Sequence, residues 1–314
     1  MRSWKQTHGE NETMTTRLIA SLTVVVALLF GCGSVPPGPW ISAAAPATQA
    51  YSVEQFSLAG PVNGVLARID LSDPRVRVEV ALADDRDPDG AGPCVGQMEV
   101  PSIVARKHAY QIAINASFFA TPHVREFDGK KVLYFVGNCG YPEGWHFSAG
   151  KLISSPAKGN LPATMIVHVD GRVSLKDRVM KLPADTKFSV SGNSMMLTNG
   201  EITPPASDIM RHPRSAVGVS ADGKTLFLMA VDGRQEGHSR GVTLAELAKI
   251  FQMFGADSAI NLDGGGSTSL VVRDPATGVV SIANRPSDQS LTNLPVRVER
   301  PVIDVVGVVV DLVE

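Results

Sequence analysis

The reading of the whole chain turns on Asn261-Leu262-Asp263-Gly264-Gly265-Gly266-Ser267-Thr268. The run Ala256 to Ile260 leads into it as a strand would, and Leu270, Val271 and Val272 resume an extended apolar pattern after it. A polar loop held between two buried strands is where a rigid scaffold presents functional groups. Consecutive glycines let the backbone turn sharply and let a ligand approach its N–H groups. Asp263 adds a charge or proton acceptor, and Ser267 and Thr268 add donors and acceptors. A plain hairpin would use the glycines only for positive φ. It would not need Asn, Asp, Ser and Thr packed so closely, so the stretch reads as a site.

Just before it, Thr243-Leu244-Ala245-Glu246 is a capping box that starts a helix at Leu244. Leu244, Leu247, Ala248, Phe251 and Phe254 mark its apolar face, and Gly255 closes it. Further upstream, Arg211-His212-Pro213-Arg214-Ser215 precedes an alternating strand, Ala216 to Ser220. Asp222-Gly223 turns it, and Thr225 to Val231 returns. Antiparallel pairing brings the outer ends of such a hairpin together, so Arg214 should cluster with Asp232-Gly233-Arg234. Near the front, the strand Ile112-Ala113-Ile114 ends in Asn115, followed by Ser117 and Phe118-Phe119. The choice for Asn115 lies between a turn residue and a fixed amide at a sheet mouth.

The remaining pattern is strand-rich. Val53 to Leu71 predicts two strands broken at Gly60-Pro61 and Asn63-Gly64, and Val76 to Val80 predicts another. Hairpins are expected at Ala149-Gly150, Asp170-Gly171 and Asn199-Gly200. Ser102 is a candidate cap for a short helix running toward His108. The β-branched run Ile303 to Leu312 predicts a central strand buried on both faces. Strands outnumber helical patterns too strongly for a regular βαβ repeat. The expected fold class is α+β, with mostly antiparallel or mixed sheets and few helices in a single domain.

Of 314 residues, 44% are hydrophobic and 29 Lys+Arg balance 31 Asp+Glu, which is ordinary globular composition without the basic surplus of a nucleic-acid partner. Residues 1–31 read as an export signal, with Met14 as a second candidate start. The apolar run Leu18 to Phe30 is too short to span a bilayer comfortably. Leu29-Phe30-Gly31-Cys32 resembles a bacterial lipoprotein signal, with Cys32 as the lipidated residue, and Gly33 after it favours the outer membrane. The alternative is a plain secretory signal cut near Ala43 to Ala45. Residues 32–50, rich in Pro and Ala, would be a tether, and 51–314 the folded domain. The expected location is the cell envelope, on the membrane through the lipid anchor. Cys94 and Cys139 then remain as one disulfide candidate in an oxidising compartment.

Taken together, Asn115-Ala-Ser-Phe-Phe119, Pro213-Arg-Ser-Ala-Val-Gly218, Asp232-Gly233-Arg234 and Asn261 through Thr268 resemble the phosphodiester glycosidase family. This is the family of N-acetylglucosamine-1-phosphodiester alpha-N-acetylglucosaminidase. Pro142-Glu143-Gly144, Gly192 through Asn199-Gly200, Asn284 through Asp288 and Glu299-Arg300-Pro301-Val302 look like further landmarks, and the resemblance runs from about Ile112 to Leu312. It departs from the family pattern at Ala116-Ser117, at Ser215 and over Gln289 to Val298.

The resemblance implies hydrolysis of a sugar-1-phosphodiester between the anomeric carbon and the phosphate oxygen, with a phosphodiester-linked glycan or envelope polymer as substrate and no cofactor. Arg214, Arg234 and Arg300 could pair with the anion. The N–H groups of Gly264, Gly265 and Gly266 could form an anion nest. Asp263 and Asp232 are the candidates for the carboxylate that faces the developing cation and the base that activates water. Asn115, Asn261, Ser267 and Thr268 would orient sugar or phosphate. Two alternatives stay open. One is a phosphoglycan-binding lipoprotein without turnover, motivated by Ala116-Ser117. The other is a metal-dependent phosphodiesterase with Asp232, Asn261 and Asp263 as oxygen ligands; no His/Cys pattern specifies zinc, and the favoured reading assigns no metal site.

Overall fold

A computed structural model describes residues 50–311 apart from 87–89, 91–93, 158–159, 161, 205–206 and 290–295. The expected signal segment, Cys32 and nearly all of the tether lie outside the described residues. Three antiparallel sheets carry the fold. The largest runs, edge to edge, through Tyr51–Leu58, Val62–Asp70, Thr225–Val231, Arg214–Val219, Ser258–Asn261, Ser194–Thr198 and Glu201–Ile202. A five-stranded sheet runs Val280–Ile282, Leu270–Arg273, Ile112–Asn115, Asp304–Val310 and Val76–Leu82. A second five-stranded sheet is built from Lys151–Ser154, His146–Ser148, Thr186–Gly192, Ala163–His168 and Val173–Lys176.

Side-chain alternation explains how these sheets share one core. Val65, Ala67 and Ile69 of the largest sheet point at Ile112, Ile114, Val306 and Val308 of one partner sheet and at Met165 and Val167 of the other. The opposite face of the largest sheet is covered by helix α2, Leu244–Met253, through Leu247, Ala248 and Phe251. Helix α1, Pro101–Lys107, covers the outer face of the first five-stranded sheet through Val104 and Ala105. The run near the C-terminus is central, as its β-branched composition predicts: Asp304–Val310 pairs on one edge with Ile112–Asn115 and on the other with Val76–Leu82. The α+β architecture, with two helices among the described residues, matches the expectation.

Local signals succeeded where the chemistry is short-range. The Thr243–Glu246 capping box is present in both directions, and Gly255 follows the helix at φ 92°. Asn199 and Gly200 both adopt positive φ in the predicted hairpin. Two expectations are corrected. Ser102 does not cap α1: Pro101 takes its first turn, and the N–H of Ser102 donates to the remote Glu299 carboxylate at 2.8 Å. Asn63-Gly64 is not a break but part of the strand Val62–Asp70, where a Cβ on residue 64 would run into the Phe56 ring and the Ala230 carbonyl.

Cys94 and Cys139 are disulfide-bonded, with Cα atoms 5.5 Å apart and a sequence separation of 45. Closing a loop of that length is worth about 2–4 kcal/mol. The Cys94→Ser/Cys139→Ser double variant should lose that much in denaturant unfolding of the oxidised protein. With reductant present in both samples, the two should unfold alike.

Candidate active site

The Asn261–Thr268 loop is the crossover between two sheets. The strand Ser258–Asn261 belongs to the largest sheet, and Leu270–Arg273 belongs to the five-stranded sheet beside it. Between them, Gly265–Ser267 forms one 3₁₀ turn. Backbone bonds fix the loop from both sides. The N–H of Leu262 donates to Ser215 O at 2.9 Å, and that of Asp263 to Ala116 O at 2.9 Å.

A cavity of about 230 Å³ opens on this loop. Asp263, Gly264, Gly265 and Gly266 form one side. Arg214, Arg234 and Arg300 converge on it, with His212, Asn193 and Phe118. The expected gathering of the glycine triplet with three arginines is therefore present. Arg300 is paired bidentately with Asp288 at 2.8 and 3.0 Å, and its Cζ lies 4.0 Å from the centre of the Tyr134 ring. Arg214 and Arg234 form no ion pair among the described residues. Arg214 instead donates to the carbonyls of Val242 and Met210, and Arg234 approaches His212 Nδ1 at 3.1 Å. Burial disfavours the charge on Arg214, Asp208 opposes it and Arg234 adds to it, although a guanidinium keeps its proton. The His212 pKa is lowered by burial and by both arginines, so the ring is neutral near pH 7. Asp208 also acts on Arg214 and His212, but among the described residues no carboxylate lies within ion-pair distance of Arg214 or Arg234.

Among the described residues, Asp263 is the only carboxylate lining this cavity. Its surface is partly open to the cavity, but protein atoms crowd the carboxyl group. That desolvation pushes its pKa up to about 6, against the opposing pull of Ser267, Arg300 and the Gly264 N–H. Ser267 Oγ is buried and meets no good hydrogen-bond geometry, yet it lies near enough to favour the charged carboxylate.

Two of the three glycine N–H groups expected to form an anion nest are engaged within the protein. The Gly264 N–H serves Asp263, and the Gly265 N–H donates to Pro213 O at 2.9 Å. Their bareness provides seats for neighbours instead. A Cβ on Gly264 would strike the Pro213 carbonyl. One on Gly265 would crowd the Arg234 guanidinium, and one on Gly266 would land on the Arg300–Asp288 pair.

Other candidates lie behind the cavity wall. Asn115 is fully buried: its Nδ2 donates to Asp263 O at 2.7 Å, and its Oδ1 accepts from Ser215 Oγ at 2.6 Å and Ser269 N at 3.1 Å. It fixes the loop and is not placed to touch a ligand. Asn261 is buried and does not line the cavity; its Nδ2 donates at 2.9 Å to Asn193 Oδ1, and Asn193 does line it. Thr268 is likewise buried. Asp232 departs furthest from expectation. It lines a different cavity, with His238, Asn63 and Asn284. Its oxygens are engaged by His238 Nε2 at 2.8 Å, by Asn284 Nδ2 at 3.1 Å and by the Arg285 N–H at 2.9 Å. Asp232, Asn261 and Asp263 therefore do not converge as one oxygen-ligand set. Asn193, His212 and Phe118 had no sequence-based role. The adjacency of His212 to Pro213-Arg214 was the signal that could have found it.

The fold and this site define a β-rich protein with a cationic cavity around one carboxylate, suited to an anionic ligand. The chain belongs to the phosphodiester glycosidase family, whose model matches residues 108–309. The catalytic domain of zebrafish N-acetylglucosamine-1-phosphodiester alpha-N-acetylglucosaminidase, auto-inhibited by its pro-peptide, superposes with a TM-score of 0.57 at 22% identity, covering 86% of this chain and 87% of that one. A putative exported protein of Burkholderia pseudomallei K96243 superposes with a TM-score of 0.53 at 16% identity, over 79% and 74% of the two chains. A prophage-derived uncharacterized protein of Bacillus subtilis, YomE, is 41% identical over 63 residues, which is 20% of this chain and 10% of that protein.

The raised Asp263 pKa has a stability consequence. The folded state holds this proton more tightly than the unfolded chain, so stability falls as pH rises from about 4 through about 6. Asp263→Asn should be more stable than the parent by about 1–3 kcal/mol at pH 8, allowing for partial solvent access, with the gain gone near pH 4. Urea unfolding at both pH values checks this; equal stability at pH 8 would count against an unfavourable buried charge.

Proposed function

We propose that this chain is an envelope-anchored hydrolase that cleaves the glycosyl–phosphate bond of sugar-1-phosphodiesters, releasing a sugar and a phosphomonoester. The observation that carries the reading is the pairing of one half-buried carboxylate with two arginines that form no ion pair among the described residues. A phosphodiester supplies the missing negative charge, and its bidentate geometry suits guanidinium groups. Arg214 and Arg234 would hold the phosphoryl oxygens, with Arg300 steadying the same anion from its place on Asp288.

In this arrangement water adds to the anomeric carbon as the bond from that carbon to the phosphate oxygen breaks. The bonding pair leaves on the phosphate, already a stable anion beside the arginines, so little protonation of the leaving group is needed. Asp263, as the carboxylate, takes the proton from the attacking water and returns it to solvent. The resemblance of Leu29-Phe30-Gly31-Cys32 to a lipoprotein signal is the support for anchoring at the membrane, and the Pro/Ala-rich segment after it would give the domain its reach.

A synthetic N-acetylglucosamine-1-phosphodiester should yield free sugar and phosphomonoester. Asp263→Asn should lower kcat by ~100-fold or more, the scale of a removed acid–base group. Because the charged form is the active one, kcat/KM should rise with pH to a plateau above about 6. A profile that falls through that range would assign Asp263 the opposite protonation state. Arg214→Ala should act mainly through weaker binding, read as competition by inorganic phosphate.

A further inference from the structure

We propose that the Cys94–Cys139 pair has a second state: before its disulfide closes, the two thiolates and the His123 imidazole form a site for one Zn²⁺ ion. The inference is independent of the hydrolase reading, because these residues lie outside the arginine cavity. The two sulfurs and a ring nitrogen of His123 stand within 4.8 Å of one another. With Zn–S about 2.3 Å and Zn–N about 2.0 Å, donors around one tetrahedral zinc stand ~3.5–3.8 Å apart. Small side-chain adjustments therefore bring all three onto one ion when the sulfur–sulfur bond is absent. The spacing of Cys94, His123 and Cys139 along the sequence does not mark this group; antiparallel pairing gathers it. Cys139 opens the strand Cys139–Pro142, which pairs with Gly96–Gln97 and with Phe119–Ala120. The Val95 N–H to Gly140 O bond, at 3.2 Å, continues the first pairing toward Cys94. His123 lies just beyond Phe119–Ala120, and Asn138 anchors its backbone: buried Nδ2 of Asn138 donates to the His123 carbonyl at 3.0 Å and to Thr121 Oγ1 at 2.7 Å. The imidazole is thus carried on a loop fixed one residue before Cys139.

The donor set selects the ion. Two thiolates and an imidazole suit zinc, with water in the fourth position. The two thiolate charges cancel those of a divalent ion, so the filled site brings no net charge to two buried cysteines, which a monovalent soft ion would not achieve. His123 is exposed, and that side gives the ion its entry path. A disulfide forms only after the chain is made, so every copy passes through the dithiol state. From there two reactions compete. Zinc binding forms two Zn–S bonds and one Zn–N bond and releases both thiol protons. Exchange with an external disulfide forms the Cys94–Cys139 bond and hands two electrons and both protons to that oxidant, which leaves as two thiols. Each reaction consumes the same sulfurs, so the ion and the disulfide exclude one another, and bound zinc delays closure.

The full chain, reduced, stripped of metal and kept free of oxygen, is titrated with Co²⁺, a zinc surrogate whose bonds to thiolate give a charge-transfer band in the near ultraviolet. The reduced parent should develop that band, saturating at a single equivalent, and Zn²⁺ should abolish it. The oxidised parent and Cys94→Ser/Cys139→Ser should show none. His123→Ala, a change at an exposed side chain, should weaken Co²⁺ binding by ~10-fold or more, because even an outer partner of a metal ligand is worth that much. Zn²⁺ should also slow disulfide closure by oxidised glutathione, and slow it less in His123→Ala. It should raise the unfolding midpoint of the reduced parent and leave that of the double serine variant in place. A reduced parent without the band, or His123→Ala with unchanged affinity, overturns the three-ligand site. So does an equal rise of the midpoint in the serine variant, which would put the ion elsewhere. A closure rate indifferent to bound zinc overturns the exclusion of one state by the other.

Discussion

One buried amide sets the geometry on which the rest relies. Asn115 stands at the end of a strand in the five-stranded sheet, with no solvent exposure. Its side chain reaches the Asp263 carbonyl in the loop, the Ser215 hydroxyl in the largest sheet and the Ser269 N–H at the start of the returning strand. Two sheets and the loop that crosses between them are thereby locked to a single side chain. A buried amide is expensive unless its polar atoms are matched, and matched it permits little slack. The position of Asp263 therefore depends less on the flexible glycines than on a network behind them. Ser117 extends that network: its N–H and hydroxyl donate to the buried Asp304 at 2.8 and 2.6 Å, and Asp304 Oδ2 lies 2.8 Å from His146 Nδ1. Two departures from the family pattern, Ser117 and Ser215, thus fall in this supporting layer and not among the residues that line the cavity.

The glycine triplet shows how one sequence feature can serve a purpose other than its most familiar one. Its backbone N–H groups are largely spent inside the protein, on Asp263 and on Pro213. Its missing side chains make the room that two guanidinium groups occupy. The anion-binding capacity of the loop comes from what stands on it. Exchanging a nest of amides for seated arginines also changes the electrostatics. Amide dipoles attract weakly and at fixed positions, whereas a guanidinium carries full charge and donates in a planar fork.

Much of the architecture was legible because its signals are local. Asn199-Gly200, the Thr243–Glu246 box and the β-branched run before Leu312 each need only neighbours in sequence to act, and each took the form its chemistry favours. The hairpin argument also brought Arg214 opposite Val231, so that Arg234 reached the same cavity. What the sequence did not disclose depends on partners far along the chain. Glu299 substitutes for a local cap on α1 across 197 residues, and nothing near Ser102 announces it. The separation of Asp232 from Asp263 was hidden for the same reason. Asn284 and Arg285, more than 50 residues downstream, are what claim its carboxylate. The tight motif Asp232-Gly233-Arg234 therefore faces two cavities, its carboxylate in one and its guanidinium in the other.

That split gives the charge distribution of the site its direction. Had Asp232 shared the cavity, it would have neutralised an arginine and left less attraction for an anion. Its carboxylate is occupied elsewhere, Asp288 pairs with Arg300, and among the described residues Arg214 and Arg234 form no ion pair, with Asp208 acting on Arg214 only at longer range. Asp263 is held in the same space with its charge disfavoured by desolvation. Each of these groups is unfavourable in the empty protein, and such costs are retained where surrounding structure over-determines them and function requires them. An arriving anion stabilises the arginines but disfavours the charged form of Asp263. The groups that bind and the group that reacts are therefore coupled: the better the phosphate neutralises the arginines, the more basic the neighbouring carboxylate becomes. A site of this kind gains proton affinity when its substrate is in place, which is when a base acting on water needs it.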